Sequence, residues 1–251
     1  MSNIKKIFAK VFFVPDPKFI KLQTSTAILF FSRSATDEAA CKKIVPGSAS
    51  KNNAFFSLLV KDKRDMLSSL GIPVYSPTPQ NQAGESFGEK LSNSIQDVFD
   101  KGFEKVIVVG NDCLLLNKAM IKRAYQNLQN NHVVIGPDKR GGIYLLGLSK
   151  KHFTKKDVEQ LPWQTANLSA ALQDYFKRLQ VTPIVLNTLN DVNQTTDLLL
   201  VNSVGRPSNV VVHFIVDLFL CISYSFSRLN LPVQQLALAN IGLRAPPIAC
   251  S

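Results

Sequence analysis

Short apolar runs closed by turn-forming residues alternate along this chain with longer stretches of helical spacing. The runs are T-A-I-L-F-F at Thr26–Phe31, Ile72–Tyr75, V-I-V-V-G-N-D-C at Val106–Cys113, His132–Ile135, Ile143–Leu148 and Thr182–Leu186. They are too short for typical helices and rich in β-branched or aromatic residues, which predicts buried strands. Between them, Phe55–Leu70, Ser86–Lys101, Asn117–Asn130 and Leu168–Leu179 read as helices. In the second of these, Phe87, Leu91, Ile95, Val98 and Phe99 form one face, with Glu89 and Lys90 turned away. The pattern predicts an α/β domain over residues 25–200, preceded by a basic lead-in over 1–24 and followed by an apolar extension over 201–251.

Candidate chemistry collects where strands end. Val106–Cys113 closes in Gly110, Asn111 and Asp112. A carboxylate there lies at the mouth of an α/β sheet, where ligands and metals bind; Asp is also a favoured N-cap, so capping of the next helix stands beside that reading. The polar stretch Ser32–Glu38 follows the first strand, at the junction where a nucleotide-binding fold holds phosphates. Asp191 and Asn193 are spaced i, i+2, so in an extended segment both face one way and suit a hard cation. The alternative is capping of a helix starting at Thr195-Thr196-Asp197. Gly141-Gly142, before an aromatic strand, permits close approach of a ligand, although the spacing favours an ordinary hairpin turn.

Charge narrows the ligand class. The formal net charge is +11 over 251 residues, which favours anionic partners. The first fifty residues carry a surplus of five positive charges. No helix-turn-helix, zinc-finger or ribonucleoprotein pattern accompanies it, so the expected partner is a phosphate-rich small molecule or an acidic lipid surface, not nucleic acid. Cys41, Cys113, Cys221 and Cys250 are scattered without metal-binding spacing and read as reduced thiols. Lys10 interrupts the N-terminal apolar run and no small-residue cleavage site follows, so no signal peptide is expected and the chain reads as cytoplasmic.

The extension holds the strongly apolar stretch Val210–Phe226. It is short for a bilayer, and Asp217 at its centre would cost roughly 2.5–3.5 kcal/mol on insertion scales. His213, Asp217, Cys221, Ser225 and Arg228 fall on one helical stripe. The readings, in order, are a packing or homodimer-interface helix, peripheral membrane attachment, and a true span.

Five motifs fall in a recognisable order: Gln82-x-Gly84-x-x-Phe87-Gly88-Glu89-Lys90; Gly110-Asn111-Asp112-Cys113; Gly136-Pro137-x-x-x-Gly141-Gly142-x-Tyr144-Leu145-Leu146-Gly147-Leu148; Pro162-Trp163-x-Thr165; and Asp191-Val192-Asn193-x-x-x-Asp197-Leu198. In that order they resemble a bacterial family, formerly a domain of unknown function, with the nucleotide-diphospho-sugar transferase (GT-A) fold. Many of its members are glycosyltransferases of the arsenosugar-biosynthesis type, and they are similar to nucleotidyltransferases such as phospholactate guanylyltransferase. The resemblance implies a three-layer, Rossmann-like α/β/α sandwich that binds a nucleotide-sugar or nucleoside triphosphate and passes a group to a small acceptor. It implies Asp112 and Asp191 as catalytic residues and, with Asn193, as ligands of Mg²⁺ or Mn²⁺. Arg33 and Lys43 would meet phosphates; Gln82, Gly84, Gly88 and Glu89 would shape the nucleoside pocket and the start of its helix; Gly110 and Asn111 would also bind the donor; Gly141 and Gly142 would admit sugar or acceptor.

Departures from the resembled pattern matter. Its first loop reads F-x-K-x-P-x-x-G-x-V-K-T-R-L, whereas Phe31–Ile44 is F-S-R-S-A-T-D-E-A-A-C-K-K-I. Glu38 replaces the glycine and Cys41 a lysine, which weakens a triphosphate cradle built on glycine N–H groups. Arg140 stands where an acidic residue precedes the paired glycines, and Asn193 where a second aspartate is usual. A metal-dependent glycosyltransferase is therefore the first reading. A nucleotidyltransferase, favoured by the single aspartate of G-N-D, is the second, and a degenerate nucleotide-binding homologue the third.

Overall fold

The computed structural model describes residues 25–45 and 47–198, together with Val211 and Phe214. The 1–24 lead-in and the stripe from His213 to Arg228 lie outside the described residues, as does the extension apart from Val211 and Phe214.

The elements, in order, are β1 (Thr26–Phe30), α1 (Ala35–Cys41), α2 (Ala49–Ser68), β2 (Val74–Tyr75), α3 (Phe87–Asp100), β3 (Lys105–Val109), α4 (Lys118–Gln129), β4 (Val134–Pro137), β5 (Ile143–Ser149), α5 (Lys155–Glu159), α6 (Leu168–Arg178) and β6 (Ile184–Val185). They build a six-stranded sheet in the order β2-β1-β3-β5-β4-β6. β5 runs antiparallel to both its neighbours, and the remaining strand pairs are parallel.

Both faces of the sheet are covered, which is why its strands read as continuous apolar runs. Ala27, Leu29, Val106 and Val108 face one way, onto Leu91, Ile95, Val98 and Phe99 of α3 and Leu172 and Phe176 of α6. Ile28, Phe30, Ile107 and Val109 face the other way, onto Ile121, Ala124 and Leu128 of α4 and Leu67 of α2. This is the three-layer α/β/α arrangement expected from the sequence.

Register fixes where the loops emerge. Phe30 pairs with Val109, so β1 and β3 end side by side. β4 and β6 run the same way, and past their ends Asp138 still bridges to Leu189. These four strand exits, with that of β2 beside β1, open on one edge. Beneath them lies a third cluster, in which Ile44, Val45, Phe55, Phe56, Leu59, Leu114, Val192 and Leu198 are buried. Val211 joins it, and the Phe214 ring sits 5.7 Å from that of Phe55. Among the described residues no helix is long and apolar enough to cross a membrane.

Several boundaries differ from the expectation. α1 occupies the stretch read as a polar loop, with the Ser34 side chain capping it by accepting from Asp37 N. α2 begins at Ala49, capped by Ser48, not at Phe55; its first turns are polar and hid the start. β3 stops at Val109, and Cys113 is buried in the loop beyond it as a free thiol, whereas Cys41 is disulfide-bonded and not the reduced thiol expected from its spacing. β4 runs on through Gly136 and Pro137, past the Ile135 expected as its end.

The third cluster makes a prediction. Phe55→Ala should destabilise the domain by about 3–5 kcal/mol, the usual cost of emptying a buried aromatic site, as measured by urea denaturation. A change below about 0.5 kcal/mol would mean that the cluster does not support the loops above it.

Candidate functional site

Asp112 leaves the end of β3 and Asp191 the end of β6, and a single backbone bond joins their loops: Val192 N donates to Asp112 O at 2.9 Å. Val192 is fully buried in the third cluster. A third carboxylate, Asp138 after β4, faces Asp191. The crowding shows in proton affinity. Burial, then the Asp112 and Asp138 charges, push Asp191 well above the ordinary carboxylate range. Asp191 Oδ1 is buried and has no hydrogen-bond partner. Burial would raise Asp112 too, but the Lys42 ammonium outweighs it and holds Asp112 below its usual value.

The helix-cap reading of Asp112 fails. α4 is capped by Asn117, whose side chain accepts from Met120 N at 3.1 Å. Capping of the 195–198 turn falls to neither Asp191 nor Asn193. Asp197 Oδ2 accepts from Asn193 N at 2.8 Å and Gln194 N at 3.0 Å, so Asn193 enters the site loop through its backbone.

Lys42 is the cation that reaches the cluster. Its Nζ lies 2.9 Å from Asp112 Oδ2 and 3.3 Å from Glu38 Oε2. Asn52 explains its placement: the amide oxygen accepts from Ile44 N and Val45 N, and the amide nitrogen donates to Ala39 O and Lys42 O. Lys63 lies below, fully enclosed, donating to Cys113 O at 2.9 Å and Leu116 O at 3.2 Å; burial lowers its proton affinity. The expected phosphate contacts sit elsewhere: Arg33 Nη1 donates to Cys41 Sγ, and Lys43 is exposed.

The residues expected around the nucleoside shape the backbone here. Gln82 Nε2 donates to Ser32 O and Pro77 O, tying the β1 and β2 exits together. Glu89 completes a capping box with Ser86 at the start of α3. Gly84, at φ +124°, packs on that turn, and Gly88 lies so close to Glu159 O and Trp163 that a Cβ would clash. Asn111 is buried with its amide nitrogen unpartnered, and Gly110 lies beside the Asp112 carboxylate. The paired glycines form the hairpin turn that spacing favoured. Gly142 leaves room for the Asp138 carboxylate, and Gly141 for the Ala166 carbonyl. Arg140 turns onto Asp197, with Nη2 at 2.8 and 2.9 Å from its two oxygens. It borders a cavity of about 180 Å³ with Lys139, Asn190, Asp191 and Asp197.

Asp138, Lys42 and Lys63 were missed in the sequence. Asp138 looked like a turn residue; only the β4–β6 pairing carries it to Asp191. Lys42 stood beside the more conspicuous Lys43, and Lys63 looked like solvated charge on α2.

Among the described residues no group of three His, Cys, Asp or Glu side chains is already disposed as a metal cage. A divalent ion that keeps water and phosphate oxygens needs only one or two protein carboxylates. The orphaned Asp191 oxygen beside Asp112 fits that requirement.

Residues 73–165 match a bacterial family described as an uncharacterised protein conserved in bacteria, DUF2064. That span holds the motifs from Gln82 to Thr165 and leaves out Asp191–Leu198. Among solved structures, the chain is similar to a protein of Desulfovibrio desulfuricans G20 assigned as a nucleotide-diphospho-sugar transferase. The TM-score is 0.68 at 21% identity, covering 78% of this chain and 97% of that one. It is also similar, at a TM-score of 0.45 and 10% identity, to CMP:2-keto-3-deoxy-manno-octonic acid synthetase complexed with CTP, covering 71% and 97%. No curated protein matches. The first likeness shows the nucleotide-diphospho-sugar transferase fold expected from the motifs.

The strained carboxyl makes a prediction about stability. A folded carboxyl with raised proton affinity favours the fold while protonated and weakens it as pH rises from the ordinary carboxylate range towards the folded value. Asp191→Asn escapes that loss. It should match the wild type in acid and become the more stable protein as pH rises, by up to about 1.4 kcal/mol per pH unit within the window. Urea denaturation across pH checks this; parallel curves would refute the buried-acid assignment.

Proposed function

We propose that this chain is a transferase using a nucleotide-diphospho-sugar donor, bound at the edge where the four strand exits meet. The observation that carries the reading is the buried, unpartnered Asp191 oxygen beside Asp112. Asp112, ionised and partly exposed, and Asp191 would hold Mg²⁺ or Mn²⁺, with Asn193 in the same loop as a weaker oxygen donor. When bound, that ion neutralises charge developing on the leaving diphosphate.

The chain's own residues supply the rest. Asp138 faces Asp191 and keeps it in place. Asn52 fixes the turn that presents Lys42, the cation closest to where the phosphates would lie. The cavity bordered by Lys139, Arg140 and Asn190 is on the acceptor side, and Arg140, held by Asp197, keeps its remaining donors for the acceptor. Asp112 and Asp191 are thus binding and charge-stabilising residues, not proton-transfer groups.

The second reading, transfer of a nucleotide from a triphosphate to a small acceptor, is favoured by the lone Asp112 in its motif. The buried Glu38 in α1 counts against it, because it sits where a triphosphate cradle needs glycine and positive potential.

A panel of nucleotide-sugars and nucleoside triphosphates, each with and without Mg²⁺ or Mn²⁺, separates these readings by thermal unfolding. A nucleotide-sugar at about a hundredfold above its Kd should stabilise the protein by about 2.7 kcal/mol, and only with the ion present. Asp112→Ala should remove the ion-dependent part. Stabilisation by triphosphates alone would favour the second reading, and none by any nucleotide would sink both.

A further inference from the structure

We infer that Lys42 is a transferable cation: it neutralises Asp112 in the free protein and passes to the donor's diphosphate when a divalent ion takes its place on that carboxylate. The inference rests on the proposed donor and metal reading, and extends it to a residue that the sequence motifs do not mark. In the resembled loop pattern the position of Lys42 is a threonine, so the device belongs to this chain.

Three observations carry it. The first is competition for one carboxylate. Lys42 Nζ sits 2.9 Å from Asp112 Oδ2, on the oxygen that a metal would use, and an ammonium and a divalent ion cannot share it without strong like-charge repulsion. The second is freedom to move. The Lys42 backbone is pinned, its carbonyl by Asn52 Nδ2 at 2.8 Å and its N–H by Glu38 O at 2.8 Å. Its side chain is the mobile part, a four-carbon stem ending in a rotatable ammonium. The pair borders solvent, with the two side chains 18% and 27% exposed. The third is the lack of a substitute on the Asp112 side among the described residues. Lys63, the other ammonium beneath the cluster, is sealed in and committed to two carbonyls, Arg33 is turned to Cys41, and Lys139 and Arg140 border the cavity on the Asp191 side. Lys42 is therefore the cation beside Asp112 that can follow a phosphate.

The consequence is coupled binding. The divalent ion alone must displace Lys42 into a site that offers it only Glu38, whose Oε2 lies 3.3 Å away and makes no hydrogen bond. With a diphosphate present, Lys42 has a better partner, so ion and diphosphate each tighten the other's binding.

The test uses the full chain with Mn²⁺ and inorganic pyrophosphate, a probe independent of the donor's base. Binding of Mn²⁺ alone is followed by the loss of its free paramagnetic resonance signal, and the joint effect by thermal unfolding. Lys42→Met should bind Mn²⁺ alone at least about fivefold more tightly than the wild type, the lower end of ordinary coupling between two ligands. Lys42→Arg, which keeps the charge, should stay weak like the wild type. In the wild type, Mn²⁺ and pyrophosphate together should raise the unfolding temperature by more than the sum of their separate effects; in Lys42→Met that excess should vanish. Equal Mn²⁺ affinity in wild type and Lys42→Met overturns the inference and leaves the metal site standing. Absence of Mn²⁺ binding in both, with and without pyrophosphate, overturns the metal reading and the inference with it. Should Lys42→Met fail to fold, a merely additive response of the wild type overturns the inference alone.

Discussion

Everything at the carboxyl edge depends on the mutual repulsion of the carboxylates brought together there, which adds to burial in raising the proton affinity of Asp191. Asp112, Asp138 and Asp191 come from three different strand exits, and the Val192 to Asp112 backbone bond keeps two of these loops in contact. Such a cluster persists only if protons or cations offset it. In this protein the Lys42 ammonium offsets Asp112, while burial and the neighbouring acids raise the proton affinity of Asp191. The apolar floor of Phe55, Phe56 and Leu114 supplies the rigidity that holds the charges together against their repulsion.

The fold was legible because covered sheets write themselves in continuous apolar runs. β1 and β3 were plain for that reason, and α3 for its one-sided apolar face. α1 was not legible: its residues are small or polar, and what makes it a helix is the Ser34 cap and the tether to Asn52, a residue well down the chain. Asn52 itself hid the start of α2, because a buried amide that makes four hydrogen bonds looks like any surface asparagine in a sequence.

The site was half legible. Asp112 and Asp191 stood at strand ends and in recognisable motifs, which sufficed to pair them. Gly88 and Glu89 stood in a motif as well, yet the structure spends them on packing α3 against Glu159 and closing its first turn. A motif records that positions matter without saying whether they touch a ligand or shape the backbone that does. Asp138 shows the converse: a position beside Asp191 with no local signal, because its neighbour is set by the pairing of β4 with β6.

The reversed strand β5 divides the edge into two provinces. On one side β1 and β3 carry Lys42 and Asp112; on the other β4 and β6 carry Asp138, Arg140 and Asp191. The antiparallel ladder between β3 and β5, in register from Lys105–Ser149 to Val109–Leu145, is the seam between them. The spacing of Asp112 and Asp191 is therefore a gauge of how that seam is set. A slip along it, far from any polar residue, would appear as a change in the gap between two acids.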